Sequence, residues 1–239
     1  MIVKNDLYDY ENRYIFQDDD MFKFSVDSIL LAEYANKFLK KANNILDMCS
    51  GNMAASLILS KYTAANITGF EIQKEAYNLG VESIKINNLQ DSLSIINDDV
   101  NNINQYFSND FFDLMICNPP FFKKNSSILN DSNYLVLARH EVKFTIEDIF
   151  KIAKSFLKNS GSVIIVHRAS RLDEIIKLGY KYQVNVKEIQ FVSTKKGKKP
   201  TIVLIRAVKS SNEGVIINSE LCIENVKSYK NIFKELSWN

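Results

Sequence analysis

The stretch that decides the fold is Asn44-Ile45-Leu46-Asp47-Met48-Cys49-Ser50-Gly51-Asn52-Met53. An apolar run of strand length ends on a carboxylate and passes through a small-residue turn. Residues 54–62 follow with helical spacing, so the unit reads strand, tight turn, helix. The alternation continues in both directions. Strands are expected at 44–49, 66–72, 92–97, 113–118 and 161–167, and helices at 26–40, 54–62, 74–88, 145–158 and 171–179. Ser25 or Asp27 would cap the first of these helices. Residues 184–192 and 201–208 read as two further strands joined around 195–200, with a short one at 214–217. Strands alternating with helices predict a doubly wound α/β domain. Its mostly parallel, seven-stranded sheet is covered on both faces and carries a late antiparallel hairpin at one edge. One domain is expected over 1–239, with 1–25 as an N-terminal extension. The aromatic side chains of that extension, Tyr8, Tyr10, Tyr14 and Phe16, are expected over the sheet edge rather than on a base.

Composition excludes several classes. Hydrophobic residues make up 46% of 239 residues and charged residues 24%, which excludes a disordered or fibrous chain. No run reaches the roughly 18 apolar residues of a membrane span, and the first residues do not read as a secretion signal, so a cytosolic protein is the default expectation. The net charge of +2 neither demands nor excludes nucleic acid. The cysteines at 49, 117 and 222 have no metal-ligand spacing, and with His140 and His167 as the only histidines no metal site is expected.

In a doubly wound sheet, ligands bind beyond the carboxyl ends of the strands. The residues standing there are the turn 47–53, then Glu71, then Asp98-Asp99-Val100, then Asn118-Pro119-Pro120-Phe121. The first turn lacks G-x-G-x-x-G, and no Gly-Lys-Ser/Thr loop occurs, so a nucleoside without a pyrophosphate suits it better than a dinucleotide. Glu71, twenty residues after Gly51, stands where an acid accepts ribose hydroxyls. Taken singly, such a carboxylate is more often a cap or a solvated loop group.

The Asn-Pro-Pro-Phe segment is the most specific signal, because it holds two of the three prolines. A rigid turn closing a buried strand is its purely structural reading. Its chemical reading starts from the amine of a base or amide, a poor nucleophile because its lone pair is delocalised. Two acceptors aimed at its hydrogens favour the pyramidal nitrogen and stabilise positive charge as it develops. Asn118 offers a side-chain oxygen, Pro119 a carbonyl on a stiff segment, and Phe121 a ring to stack on the planar substrate.

These residues resemble an S-adenosylmethionine-dependent class I methyltransferase of the N-methyl type, with its Rossmann-like fold. More closely, the chain is similar to the bacterial tRNA(Val) adenine-N6-methyltransferase family. The resemblance is carried by Phe24-Ser25-Val26-Asp27-Ser28-Ile29-Leu30-Leu31-Ala32, Ile45–Asn52, Gly69-Phe70-Glu71-Ile72-Gln73, Cys117–Phe122, Ala138-Arg139-His140-Glu141 and Val166-His167-Arg168. It implies N6-methylation of the adenosine immediately 3′ of the anticodon in a valine tRNA. It also implies that Asp47, Ser50, Gly51 and Asn52, bordered by Val26 and Asp27, hold the methionine part of S-adenosylmethionine. Glu71 and Ile72 would take the ribose and adenine, Asp99 with Val100 the exocyclic amine, and Asn118 to Phe121 the target base. Met53 departs from the pattern, since the family usually has glycine there. Its side chain would narrow the pocket, distort the turn or swing away.

For RNA, the cluster Lys195-Lys196-Gly197-Lys198-Lys199 suits phosphate contacts, with Arg139, Arg168 and Arg171 as additions; a solvated hairpin tip is the plain alternative. The partner expected is tRNA, with no obligate protein partner. The competing readings are a guanine-N2 enzyme of ribosomal RNA, a release-factor glutamine enzyme, and a non-catalytic RNA-binding protein that keeps the fold. The glutamine enzymes carry a substantial helical domain ahead of the fold, and the stretch before Asp47 is short for one.

Overall fold

The computed structural model describes residues 1–7, 10–18, 25–119, 144–224 and 226–235. Two short strands, β1 (Ile2–Asp6) and β2 (Tyr14–Asp18), pair antiparallel as a separate hairpin. Then come α1 (Val26–Asn36), β3 (Asn44–Asp47), α2 (Ala54–Leu59), β4 (Asn66–Phe70), α3 (Lys74–Ile86) and β5 (Leu93–Ile96). A 3-10 turn at Val100–Gln105 leads to β6 (Phe112–Cys117). Beyond it lie α4 (Ile146–Phe156), β7 (Leu157–Arg168), α5 (Leu172–Tyr182), β8 (Val184–Ser193) and β9 (Ile202–Lys209). Two-residue strands β10 (Ile216–Ile217) and β11 (Leu221–Cys222) and the short helix α6 (Ile232–Glu235) close the chain.

The main sheet runs β10-β8-β9-β7-β6-β3-β4-β5, with β11 also paired to β8. The pairs among β7, β6, β3, β4 and β5 are parallel, and β9 is antiparallel to both β7 and β8. Among the described residues nine strands therefore replace the seven expected, the surplus being the two-residue pieces on the outside of β8. The late hairpin forms, but its second strand turns inward to lie between β7 and β8. Continuous apolar runs explain the middle of the sheet: in β6 every residue but Asp113 is buried, as a strand covered on both faces must be.

One face is covered by α1, α2 and α3 and the other by α4 and α5, giving two apolar cores on either side of the sheet. All residues of α1 from Ser28 to Ala35 are buried, because the sheet lies on one side of it and α2, the hairpin and α6 on others. The start of α4 is fixed by a reciprocal cap, with the Asp148 amide donating to Thr145 Oγ1 at 3.3 Å and the Thr145 amide donating to Asp148 Oδ2 at 2.9 Å.

Two differences from expectation have a structural cause. Strand β7 starts at Leu157, not 161, because Leu157 pairs with Phe112 before the register shifts and resumes at Ser162 opposite Leu114. A bulge containing Ser160, at φ 65°, absorbs the intervening residues. The N-terminal hairpin packs on α3 instead of a sheet edge: Ser83 Oγ accepts from the Phe16 amide, and Asn87 both accepts from the Tyr14 amide and donates to the Tyr14 carbonyl. Tyr10 is 2% exposed and its hydroxyl donates to Glu33 on α1, so it is a core residue.

Candidate functional site

Four strand ends and the start of α1 converge at the carboxyl end of the sheet. After β3 the backbone turns sharply: the Ser50 amide donates to the Phe70 carbonyl, and the Met53 amide closes back on the Ser50 carbonyl at 2.8 Å. Gly51 adopts φ 54°, and a β-carbon built there would have nothing within 4 Å. The chain thus presents bare backbone to open space at this point. Asn52 is held away from that space, its amide donating to the Phe16 carbonyl of β2 at 2.9 Å.

Beneath the turn sits Asp47, 2% exposed, whose carboxylate accepts from Ser56 Oγ at 2.8 Å. Burial raises its pKa to about 7 against that hydrogen bond, and the neighbouring Glu71 adds to the rise. Glu71, at the end of β4, accepts from the Gly51 amide at 2.9 Å through one oxygen and from the Gln73 amide at 2.7 Å through the other. Burial raises its pKa while those backbone donors lower it. A carboxylate has about four lone-pair positions, so Glu71 keeps capacity for further donors such as ribose hydroxyls.

After β5 the two aspartates take different tasks. Asp98 accepts from Asn102, from the Tyr106 hydroxyl and from the Asp99 amide. Asp99 caps the following turn through one oxygen, accepting from the Asn101 amide at 2.9 Å, and its other oxygen has no partner among the described residues. Its neighbour Val100 is buried, and Ile72 is half-buried beside Glu71. The backbone of Glu71 and Ile72 is clamped by Asn97, whose amide donates to the Glu71 carbonyl at 2.8 Å and the Ile72 carbonyl at 3.3 Å.

The β6 end adjoins the first turn directly. The Met48 amide donates to the Ile116 carbonyl at 3.0 Å, and Cys49 and Cys117 share a hydrogen bond that, with burial, lifts the Cys49 thiol well above its ordinary pKa. The Cys49 thiol is therefore held in the unreactive form. Asn118 is half-buried and Pro119 buried. The Asn118 Nδ2 group donates to Ser28 Oγ on the first turn of α1 at 3.2 Å, and the amide oxygen has no partner among the described residues. Val26 and Asp27 precede Ser28; burial raises the Asp27 pKa, and the Arg168 guanidinium at the end of β7 pulls it back.

The structure accordingly gathers Val26, Asp27, Asp47, Ser50, Gly51, Asn52, Glu71, Ile72, Asp99, Val100, Asn118 and Pro119 at one end of the sheet. Pro120, Phe121 and Arg139 lie outside the described residues. Arg168 is exposed beside Asp27, and Lys195, Lys196, Lys198 and Lys199 are exposed on the β8–β9 loop, which the Ala169 amide joins through Thr201. Arg171 is taken up by Glu174, with Nε at 2.7 Å and Nη2 at 3.0 Å from its oxygens. Sequence reasoning did not find Ser28 or Asn97. Ser28 is hidden inside an apolar helix, and Asn97 carries no motif, so neither left a one-dimensional signal.

Met53 is wholly buried at φ 70° and points away from the open space above Gly51. A β-carbon on Gly69 would fall 2.4 Å from its Sδ, and one on Gly80 3.2 Å from its Cγ. The side chain therefore fills a slot between β4 and α3 that two glycines leave open. His167, 2% exposed, accepts from the Arg168 amide; burial first, then Arg171, lowers its pKa to about 4. Among the described residues no group of histidine, cysteine and acidic side chains is placed to hold a metal ion, and no helix is long and apolar enough to cross a membrane.

Comparison with known proteins gives a consistent picture. The family model for the methyltransferase small domain matches residues 23–188. A tRNA1(Val) (adenine(37)-N6)-methyltransferase of Bacteroides thetaiotaomicron is 27% identical over 98% of this chain and 97% of its own length. The enzyme of that name from Shewanella woodyi is 26% identical over 84% of each chain. Among solved structures, the tRNA m1G37 methyltransferase of Methanocaldococcus jannaschii aligns over 88% of this chain and 57% of its own, with TM-score 0.62 and 17% identity. TYW2 of the same organism, solved in complex with AdoMet, aligns over 87% and 85% with TM-score 0.57 and 16% identity. These last two likenesses concern the fold. The match of the family model to well over half of the sequence establishes that the chain belongs to the methyltransferase small domain family.

Proposed function

We propose that this protein methylates N6 of the adenosine immediately 3′ of the anticodon, position 37, in a valine tRNA, using S-adenosylmethionine, in the cytoplasm. The observation that carries the reading is the juxtaposition of Asn118-Pro119 with the turn after β3, with the Asn118 amide oriented by Ser28. The names of the full-length relatives support the choice of base and RNA.

The residues present fit the cofactor. Bare backbone at Gly51 leaves room for it, Glu71 retains acceptor capacity for the ribose, and the free oxygen of Asp99 suits an exocyclic amine. When bound, S-adenosylmethionine supplies an electrophilic methyl group. The chain's part is to prepare the amine. With its NH2 committed to Ser28, Asn118 turns its oxygen toward the substrate, and the Pro119 carbonyl is the second acceptor. Two acceptors on the amine hydrogens disfavour the planar, conjugated nitrogen and stabilise charge as it forms. No strong base is then needed, because the amine loses its proton after it has become cationic. The neutral His167, buried at the end of β7, takes no part in this.

On the substrate side, Arg168 and the four lysines of the β8–β9 loop stand at the same end of the sheet as Asn118. They suit phosphates flanking the target base. The test is methyl transfer from labelled S-adenosylmethionine to unmodified bulk tRNA, followed by nucleoside mass spectrometry. N6-methyladenosine is expected. Label in ribosomal RNA as N2-methylguanosine, or in a release factor, overturns the assignment.

A further inference from the structure

Glu33 lies in the middle of α1, is 1% exposed, and gathers three separate segments. Its Oε1 accepts from the Tyr10 hydroxyl and from the Tyr62 hydroxyl, each at 2.6 Å, and its Oε2 accepts from the Asn231 amide at 2.7 Å. Each segment brings a cation with it: Arg13 from the hairpin, Lys61 beside Tyr62, and Lys230 beside Asn231. The anchor accepts from those three donors, while Lys61 and Lys230 stand exposed.

None of the three cations is in an ion pair among the described residues. Arg13 is half-buried; its Nη1 donates to the Asn12 carbonyl at 3.4 Å, and its Nε is buried with no partner among the described residues. Their mutual repulsion is felt at Lys61, whose pKa is lowered by burial and then by Arg13 and Lys230, with Glu11 the one acid opposing them. Next to this cluster opens a cavity of about 820 Å³. Tyr62, Lys40 and Asn36 line it, and Asn36 Nδ2 is buried with no acceptor. An unsatisfied donor beside positive charge suits a polyanion.

We propose that this surface, anchored on the middle of α1 beyond Ser28 and Asn118, is a second docking point for the phosphodiester backbone of the substrate RNA, made by Arg13, Lys61 and Lys230. The proposal rests on the reading of the substrate as RNA. From Ser28 to Glu33, on which the three segments are anchored, the axis of α1 advances about 7.5 Å, so the three cations meet phosphates beyond the one at the target base. They add affinity and register without touching the chemistry.

The test compares the wild type with Arg13→Gln/Lys61→Gln/Lys230→Gln in binding to unmodified tRNA across a salt series. The triple variant is expected to flatten the log–log salt dependence by about two to three, near one for each phosphate left without its cation. Its kcat at saturating tRNA and its affinity for S-adenosylmethionine should match the wild type. Arg13→Lys/Lys61→Arg/Lys230→Arg should keep the wild-type slope, which separates charge from folding. An unchanged slope in the glutamine variant, while the wild type binds and methylates tRNA, overturns the surface and leaves the activity standing. Wild-type protein that binds no tRNA at all overturns the RNA reading itself. If the wild type binds inorganic phosphate at sub-millimolar concentration through these residues but the tRNA slope does not move, the site serves a small phosphorylated ligand and the RNA assignment is wrong.

Discussion

The Asn118 side-chain amide donates to Ser28 Oγ at 3.2 Å, joining the end of β6 to the first turn of α1. In the proposed reaction this hydrogen bond decides which end of the amide faces the substrate, and so whether the site offers an acceptor or a donor to an amine. Asn118→Ala should lower kcat by about 10²–10³, the range for removing one preorganised hydrogen-bonding group. Cofactor affinity, measured by calorimetry, should change little; equal loss of both would end the proposed role. Ser28→Ala should lower kcat about tenfold and leave the affinities for S-adenosylmethionine and tRNA unaltered. A change in affinity with kcat intact would make Ser28 a packing residue.

Met53 and Gly69 form a matched pair. Removing the buried side chain in Met53→Gly should destabilise the protein by about 2–4 kcal/mol through the cavity, partly offset by about 1 kcal/mol from relief of the left-handed backbone. Affinity for S-adenosylmethionine should stay within a few-fold of wild type, because the side chain points away from the open face. Gly69→Ala should destabilise strongly in the wild type and less in the Met53→Gly background. Additive urea midpoints would show that the two positions do not compete for the slot.

Asp47 gives a signed pH dependence. Its ordinary pKa is about 3.9 when unfolded and about 7 in the buried folded state. Between those values the folded protein holds a proton that the unfolded chain has lost, so this group makes stability fall as pH rises from about 4 to about 7. Asp47→Asn should therefore gain on the wild type between pH 5 and pH 8 in paired urea titrations. A constant difference would mean that Asp47 is already ionised when folded. His167 acts with the opposite sign, since its folded pKa of about 4 lies below the unfolded value. Its imidazole should stay neutral in an NMR titration down to about pH 4.

The β8–β9 loop is expected to contribute its own share of RNA affinity. Changing Lys195, Lys196, Lys198 and Lys199 to alanine should weaken tRNA binding and lower the salt slope by roughly one for each lysine that meets a phosphate. Glu224 accepts from the Lys196 amide at 3.0 Å, which keeps an acid beside the loop. A slope equal to wild type would make the loop a solvated hairpin tip.

Much of the fold and the place of the candidate site were legible in the sequence because burial on both faces forces continuous apolar strands, and a doubly wound sheet places ligands at the strand ends. The turn at Gly51, Glu71, Asp99 and Asn118 were found by that rule, and the structure brings them to one end of the sheet. What stayed hidden depends on partners far along the chain. Ser28 matters through Asn118, ninety residues later. The hairpin at 2–18 was misplaced because its hydrogen-bond partners are side chains of α3, Ser83 and Asn87, which mimic no strand pattern. The slot that receives Met53 is invisible until Gly69 and Gly80 are seen to face it across two elements. Pattern reading also placed the closing hairpin as a whole without saying which of its strands lies inside.

The inward position of β9 constrains the order in which the molecule can be assembled. Strand β9 is among the last long elements to leave the ribosome, yet it lies between β7 and β8 and pairs with each over most of its length. Until residue 209 has emerged, the nascent sheet presents two unpaired, apolar edges where one continuous surface will later be. Vectorial synthesis therefore cannot complete this domain strand by strand. The chain must wait with an open seam, which is the interval in which a chaperone, or a second nascent copy, has something to bind.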